Sequence, residues 1–586
     1  MILNKLRRLM KENKIDYYII PSLDPHGSEY LPEYYQERFF VTGFSGSAGT
    51  AVISQEDAYL WTDGRYYIQA KREIEDYGFT LQKQGLEGVP NYDQWIYDHI
   101  STGNTVGLNG KYYIEKNYQN LQKQVEKKQG KIVDIDLIKD LWMDRASLPN
   151  DQAYLHDITY TGRTREEKID TIRKILKERK ATMTIISSLE DIAWTLNIRG
   201  NDIEYTPVLL SYLIITEKQV RFYASPAKVQ KIKKEIKDFV TICNYDEFYD
   251  DLSMIEGERI YLDPERVNHK LYSSVSTKNR IIEGQNITLP LKAIKNKTEL
   301  EHQRDTYVRD GVYLTKFIHW LKKEIKKRKI SEVEAAEKLD SYRKQDPLYV
   351  SNSFGTISAY GENGAMMHYS ATEQSQSDLE AKGFYLVDSG GQYYSGTTDI
   401  TRTIALGPLT EEEIHDFTVV LKSHLALLHC IFLKGTSDTS LDAITRYHVW
   451  QQYSDYKCGT GHGVGYFLSC HEGPQKLDPR TSPVEMKEGM IVSNEPGIYK
   501  GGKYGIRLEN IMEVVRDKTN EDGTFLSFDV LSLAPIDLDA IDIQLLSDKE
   551  IQQLNGYHRL VYDRLEKYLS SEEKDWLEEV TKPLER

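Results

Sequence analysis

The chain has 586 residues, enough for about four domains at roughly 150 residues each and too many for a single hydrophobic core. Hydrophobic residues make up 40% and charged residues 28%, a globular composition that excludes disorder as the main state. Lysine and arginine number 75 against 90 acidic residues, and the resulting net charge of −15 repels a phosphate backbone, so nucleic acid is not an expected partner.

The first twenty residues, MILNKLRRLMKENKIDYYII, predict an amphipathic helix running into a strand, without the uninterrupted apolar stretch of a secretory signal. A similar unit recurs, because RLMKENKIDYYII at 8–20 and KILKERKATMTII at 174–186 share basic positions and paired isoleucines at an offset of 166. Strand-like segments follow both, FVTGFSGSAGTAVI and AYLWTDGRYYI in the first, PVLLSYLIIT and VRFYA in the second. This alternation predicts two related α/β domains with mixed or parallel sheets, over residues 1–150 and 151–290. A third domain, 291–586, begins where LPLKAIKNKTELEHQRD turns helical. The helix around FIHWLKKEIKKRK is basic, but Phe317, Trp320, Leu321 and Ile325 form an apolar stripe on it, so it reads as a solvated helix face. No apolar run approaches the ~20 residues that span a bilayer, and no membrane partner is expected. The four cysteines, Cys243, Cys430, Cys458 and Cys470, form no CxxC pair, which fits a reducing compartment and a cytoplasmic location.

Dense chemistry begins near 350. In FYLVDSGGQYYSGTTDITRTI two apolar runs flank a glycine-rich turn, predicting a hairpin that brings Asp388 and Asp399 together. Two carboxylates about 4 Å apart repel by roughly 4 kcal/mol at a protein surface, so a cation or shared proton must offset them. KCGTGHGVGYFLSCHEGP sets His462 among glycines that suit a sharp backbone bend and not a dinucleotide fingerprint, since Val464 and Tyr466 occupy the third glycine's place. MIVSNEPGIY ends an apolar strand at Glu495, and GIRLENIMEVV puts Arg507 and Glu509 on one face of a strand. Two aspartates, one histidine and two glutamates make an oxygen-rich donor set that suits Mn²⁺, Co²⁺ or Zn²⁺. Four carboxylates balance two divalent cations, the arrangement that activates a water between paired metals.

The motifs VDSGGQYYSGTTDITRT, GTGHGVG, HEGP, NEPGIY and YGIRLEN together resemble those of the cytosolic-type Xaa-Pro aminopeptidases, three-domain members of the pita-bread metallopeptidases. FVTGFSGSAGTAVI, WTDGRYYIQA and LNIRGNDIEYTPV extend the resemblance over the whole chain. It implies an α/β (α+β) fold with two creatinase-like domains ahead of a pita-bread catalytic domain with a helical tail. It implies two divalent metals, Mn²⁺ first, with Asp388 and Asp399 on one and Asp399, His462, Glu495 and Glu509 on the other. It implies peptide substrates with proline second, whose first residue is released by attack of a metal-bridged hydroxide on the Xaa-Pro carbonyl. In that reading Glu495 relays the proton, His368 and His471 are catalytic and contact the substrate, Arg507 stands behind the bridging Glu509, and Arg65 reaches the substrate from the first domain. A homodimer through the catalytic domain is also implied. One position departs from the family, since Cys458 stands where many relatives carry a histidine four residues before the metal histidine. The alternatives are a prolidase acting on Xaa-Pro dipeptides, disfavoured by the two N-terminal domains, and a non-catalytic pita-bread binding protein or a creatinase-type hydrolase, disfavoured by the complete ligand set.

Overall fold

The computed structural model describes residues 2–586, which form two compact units, one of residues 2–158 with 163–288 and one of 159–162 with 289–586. In the first unit, helix α1 (Ile2–Glu12) buries Leu3, Leu6 and Met10 on one stripe and leads into strand β1 (Tyr17–Pro21). Strands β2 (Thr50–Ile53), β3 (Ala58–Thr62), β4 (Thr80–Lys83), β5 (Thr105–Leu108) and β6 (Lys131–Asp134) complete a sheet of order β4-β3-β2-β1-β5-β6. Its central strand runs antiparallel to β2 and parallel to β5, so the sheet is mixed. Helix α2 (Glu115–Lys127) lies between β5 and β6. The segment FVTGF is not part of a strand: it closes a short helix, Glu37–Thr42, that ends on Gly43 at φ 70°.

The second half of this unit repeats the plan. Helix α3 (Arg165–Glu178), with a Thr164/Glu167 capping box, precedes β7 (Met183–Ile186). Strands β8 (Tyr212–Thr216), β9 (Val220–Tyr223), β10 (Thr241–Cys243), β11 (Arg259–Leu262) and β12 (Arg280–Glu283) give the order β10-β9-β8-β7-β11-β12. β7 is again antiparallel to β8 and parallel to β11. The copies meet through equivalent positions near helix α4 (His269–Ser274): Glu115 N donates to Val267 O at 2.9 Å, and His269 N donates to Tyr113 O at 2.8 Å. The two bonds are reciprocal across the bridge of Ile114 with Asn268, and the equivalent residues Glu115 and His269 also pair through Oε2 and Nδ1 at 2.8 Å. Reciprocal contacts of this kind are the pattern of a twofold interface, here built within one chain.

The second unit starts with the long helix α5 (Lys297–Glu324), capped by an Asn296/Glu299 box, and α6 (Glu332–Arg343). Phe317 and Leu321 of α5 are buried, as the apolar stripe requires. Strands β13 (Ile357–Tyr360), β14 (Phe384–Ser389) and β15 (Ile400–Ala405) form an antiparallel sheet with β14 in the middle. Helices α7 (Glu411–Leu428) and α8 (Asp438–Trp450) follow, then the short strand β16 (Gly461–His462). Strands β17 (Ile491–Asn494), β18 (Gly497–Lys500), β19 (Tyr504–Arg507), β20 (Asn510–Asn520) and β21 (Gly523–Val530) lead to helices α9 (Asp548–Leu565) and α10 (Ser571–Val580). Phe417, Val420, Leu421 and Leu425 of α7 pack with Leu554, Val561 and Leu565 of α9 in the largest core. Each such side chain contributes about 1.5–3 kcal/mol on burial.

One interruption governs the site. β17 pairs with β20 as far as Asn494 opposite Asn510, and β18 pairs with β19 from Gly497 opposite Arg507. Between them Glu495-Pro496 faces Leu508-Glu509, and Pro496 has no N–H to continue the ladder. Arg507 and Glu509 therefore do not share one continuous strand, as the sequence pattern suggested. The freed backbone turns elsewhere, with Glu495 N donating to Thr460 O at 2.8 Å and Glu509 N to Thr401 O at 3.2 Å.

Candidate metal centre

In the antiparallel pair β14–β15, Asp388 lies opposite Thr401, and Asp399 stands immediately before β15. The predicted hairpin thus forms, with a smaller hairpin of Gly391–Tyr393 and Gly396–Thr397 folded into its connection. His462 ends β16, Glu495 follows β17, and Glu509 precedes β20. Ligand atoms of Asp388, Asp399 and Glu509 lie within 4.8 Å of one another, as do those of His462, Glu495 and Glu509 and those of Asp399, His462 and His471. The three overlapping groups join all five residues expected as ligands, together with His471.

The glycines beside His462 work by close approach. A Cβ on Gly461 would lie 2.0 Å from Ser493 O, and one on Gly463 would lie 2.1 Å from Glu472 O. Neither glycine adopts a left-handed conformation. The expected sharp bend is replaced by backbone packed too tightly for any side chain.

Hydrogen bonds fix how each group faces the centre. His462 Nδ1 lies 2.9 Å from Gly463 O, a pure acceptor, so this nitrogen carries the proton. In the neutral ring Nε2 is then the lone-pair nitrogen, 3.4 Å from both Asp399 Oδ2 and Glu495 Oε1. A lone pair facing two carboxylate oxygens is repulsive unless a cation or proton lies between them. Ser493 Oγ accepts from His462 N at 2.9 Å and donates to Glu495 Oε1 at 3.1 Å. Thr401 Oγ1 donates to Glu509 Oε2 at 2.8 Å and accepts from Arg507 Nε at 3.1 Å. Arg507 extends to Asp388 Oδ2 at 2.6 Å, Tyr499 Oη at 2.8 Å and Met367 O at 3.4 Å. The arginine therefore reaches the carboxylates through Asp388 directly and Glu509 by way of Thr401.

Asp388 Oδ1 and Glu509 Oε1 are buried without any hydrogen-bond partner. Orphaned buried oxygens are costly, and both belong to the same ligand group. Burial, with repulsion from Asp399 and Glu495, raises the Asp388 carboxyl to about 7 against the pull of Arg507. Burial and the neighbouring carboxylates push Glu509 well above the usual range, and burial also raises Glu495. Burial disfavours a charged His462, but Asp399 and Glu495 outweigh it and hold the ring at about 9. The orphaned oxygens, the inward lone pair and the crowded carboxylates fit divalent cations.

Of the residues around the ligands, Cys470 and Glu472 gave no signal in the sequence. Cys470 Sγ donates to Asp399 Oδ2 at 3.1 Å, and the thiol is buried. The His471 ring stands at 89° to His462 with centroids 4.4 Å apart. The next residue, Glu472, is buried between Lys292 Nζ at 2.9 Å and Lys295 Nζ at 2.6 Å. His368 follows Met367, whose carbonyl meets Arg507. Cys458 is half-buried and packs, with Tyr499, against the core of α7 and α9. Arg65 lies in the first unit, where Asp63 holds it bidentately at 2.9 and 2.8 Å.

Family models match the chain in order: Creatinase/Prolidase N-terminal domain over 2–141 and again over 144–299, metallopeptidase family M24 over 302–516, and the C-terminal region of peptidase M24 over 524–584. A protein of Talaromyces marneffei bearing the name "Probable Xaa-Pro aminopeptidase P" is 39% identical over 99% of this chain and 92% of its own. The chain belongs to metallopeptidase family M24. A Laccaria bicolor protein of the same name is 36% identical over 99% of the chain and 93% of its own. The crystal structure of X-prolyl aminopeptidase from Caenorhabditis elegans, described as a cytosolic enzyme with a di-nuclear active site, superposes with TM-score 0.96 at 33% identity, covering 100% of this chain and 99% of that one. The Xaa-Pro dipeptidase from Bacillus anthracis, at 24% identity and TM-score 0.52, covers 64% of the chain and shares the fold. The fold is thus mixed α/β, with creatinase-type N-terminal domains ahead of a pita-bread catalytic domain.

Proposed function

We propose that the protein is a Xaa-Pro aminopeptidase that removes the first residue from peptides with proline in second position. The observation that carries this reading is the six-residue cluster of Asp388, Asp399, His462, His471, Glu495 and Glu509, in a chain that matches an X-prolyl aminopeptidase with a di-nuclear site along its whole length. Asp388 and Asp399 would hold one divalent metal, and Asp399, His462, Glu495 and Glu509 the other, with Asp399 and Glu509 shared. Mn²⁺ is the metal proposed, since carboxylate-rich sites suit it. Bound there, the two cations supply Lewis acidity and lower the pKa of a water.

This chain's own residues do the rest. Glu495 would take a proton from the attacking water and pass it to the departing nitrogen. That nitrogen belongs to proline and carries no hydrogen, so it leaves as an amine only after protonation. His368 and His471 would donate hydrogen bonds where charge develops on the reacting carbonyl oxygen. Arg507 holds Asp388 in place, and Arg65 is assigned to the substrate by family resemblance.

The proposal includes a division into domains at 1–150, 151–290 and 291–586, supported by the order of the family matches. It includes a cytoplasmic location, which the cytosolic relative supports, and no helix among the described residues is long and apolar enough to cross a membrane. It also includes a homodimer, for which α8 offers exposed Tyr447 and Trp450. Hydrolysis of Arg-Pro-Pro and of Gly-Pro, each with and without Mn²⁺, tests the activity. Metal-dependent cleavage of the tripeptide is expected; much faster cleavage of the dipeptide would replace this reading with a prolidase.

A further inference from the structure

Glu332, the first residue of α6, is fully buried at 0% exposure and lies outside the metal-ligand groups. Its carboxylate collects hydrogen bonds from both ends of one segment. Tyr360 N donates to Oε1 at 2.6 Å, and Asn363 Nδ2 donates to Oε1 and Oε2 at 3.0 and 3.2 Å. Tyr369 Oη, beside His368, donates to Oε2 at 2.9 Å, and from the far end Ser377 N donates to it at 2.8 Å. The backbone of Glu332 adds two ties, its carbonyl accepting from Ser358 Oγ at 2.6 Å and its N–H donating to Ser377 O at 3.1 Å. The segment so gathered, 360–377, carries His368 near its middle. Beside His368, Met367 O accepts from Arg507, the guanidinium that also grips Asp388. Two buried side chains therefore fix this loop, Glu332 at both ends and at Tyr369, and Arg507 at Met367.

A carboxylate suits this task because every partner is a donor. An amide of the same size would turn an N–H₂ towards donors on one side or the other, leaving a repulsive contact inside a dry core. The chain has placed an unpaired negative charge in its interior to satisfy one loop, an expensive choice for a segment that served only as a connection.

We propose that Glu332 is the positioning residue for His368, holding both ends of the 360–377 loop so that the imidazole reaches the reacting peptide at one fixed place. This rests on the role proposed above for His368, and the test separates the two. Hydrolysis of a Xaa-Pro-Pro tripeptide by the Mn²⁺-loaded full chain is measured for Glu332→Gln, His368→Ala and the double variant, with metal content and melting temperature. Glu332→Gln is expected to lower kcat by about 10- to 100-fold, the loss typical of a misplaced catalytic group, with both metals retained. In the His368→Ala background the same change should cost no more than about twofold, because its target is already gone. Amide exchange over 361–377 should quicken in Glu332→Gln, and Glu332→Asp, which keeps the charge and shortens the reach, gives a milder form of each effect should the glutamine variant fold poorly.

Equal rate losses in both backgrounds, or a lower melting temperature with kcat unchanged, would overturn the positioning role. Near-native activity of His368→Ala would instead remove the role of His368, and the inference with it.

Discussion

His462 shows how one hydrogen bond sets chemistry. Because Gly463 O takes the Nδ1 proton, Nε2 turns its lone pair towards Asp399 and Glu495, the tautomer a metal ligand needs. Without a cation, protons must do part of the same work. The Asp388 carboxyl at about 7 lies above the ordinary ~3.9 of an unfolded chain, and His462 at about 9 lies above the ordinary ~6.5. Between about pH 5 and 9 these two groups therefore bind more protons in the folded, metal-free protein than in the unfolded chain, and the stability they contribute falls as pH rises. The lowered Asp399 carboxyl acts in the opposite sense, but only near and below its ordinary range in acid. Divalent metal replaces those protons, so the rise in melting temperature on adding Mn²⁺ should grow from pH 5.5 to pH 8.5. Scanning calorimetry with and without Mn²⁺ at those pH values is the check. An increment that shrinks with pH would mean these groups do not hold the metal.

At the scale of elements, the break at Pro496 and its partner Leu508 places two glutamates where neither belongs to a regular ladder. The segment after β16 is fixed by a different device. Glu472 N donates to Gly463 O at 2.7 Å, while its side chain is clasped by Lys292 and Lys295. One carboxylate and two ammonium groups, each 2–3% exposed, thus tie the His471 segment to the region just ahead of α5. Burial would raise the Glu472 carboxyl, yet the two lysines lower it. Glu472→Gln would strand two buried positive charges and should cost about 3–5 kcal/mol, the range for breaking a buried pair. Lys292→Met leaves a balanced pair with Lys295 and should cost less. Urea denaturation of both variants decides the order; a greater loss for Lys292→Met would show that Glu472 is not the linchpin of the cluster.

For the whole molecule, two features concern interfaces. Inside the first unit, the repeated sheets meet through equivalent residues around Glu115 and His269, so a twofold contact has been fixed by covalent linkage. On the second unit, α8 turns Ile444, Tyr447 and Trp450 outward at three-residue spacing, followed by Tyr453, with Tyr447 54% and Trp450 45% exposed. A cluster of large apolar side chains in water marks an interaction surface, and a second copy of the chain is the occupant proposed here. Sedimentation velocity should find a dimer for the unaltered protein and a monomer for the Tyr447→Glu, Trp450→Glu double variant. A dimer that survives both substitutions would place the contact elsewhere.

The offset of 166 between two helix-strand units was visible in the sequence, and the identical strand orders of the two sheets correspond to it. So were the donor types at Asp388, Asp399, His462, Glu495 and Glu509, because carboxylates and a histidine beside glycine, proline and apolar strands are conspicuous in one dimension. Thr401, Cys470, Glu332 and the lysines around Glu472 were not, since each is an ordinary residue whose importance lies in what it touches from far along the chain. Residue type and spacing by themselves determined which atoms could bind a cation. Only the tertiary structure decided which of those atoms face one another, because that depends on strand register, on a ladder broken at a residue without an N–H, and on hydrogen bonds that choose one nitrogen or one oxygen over its neighbour.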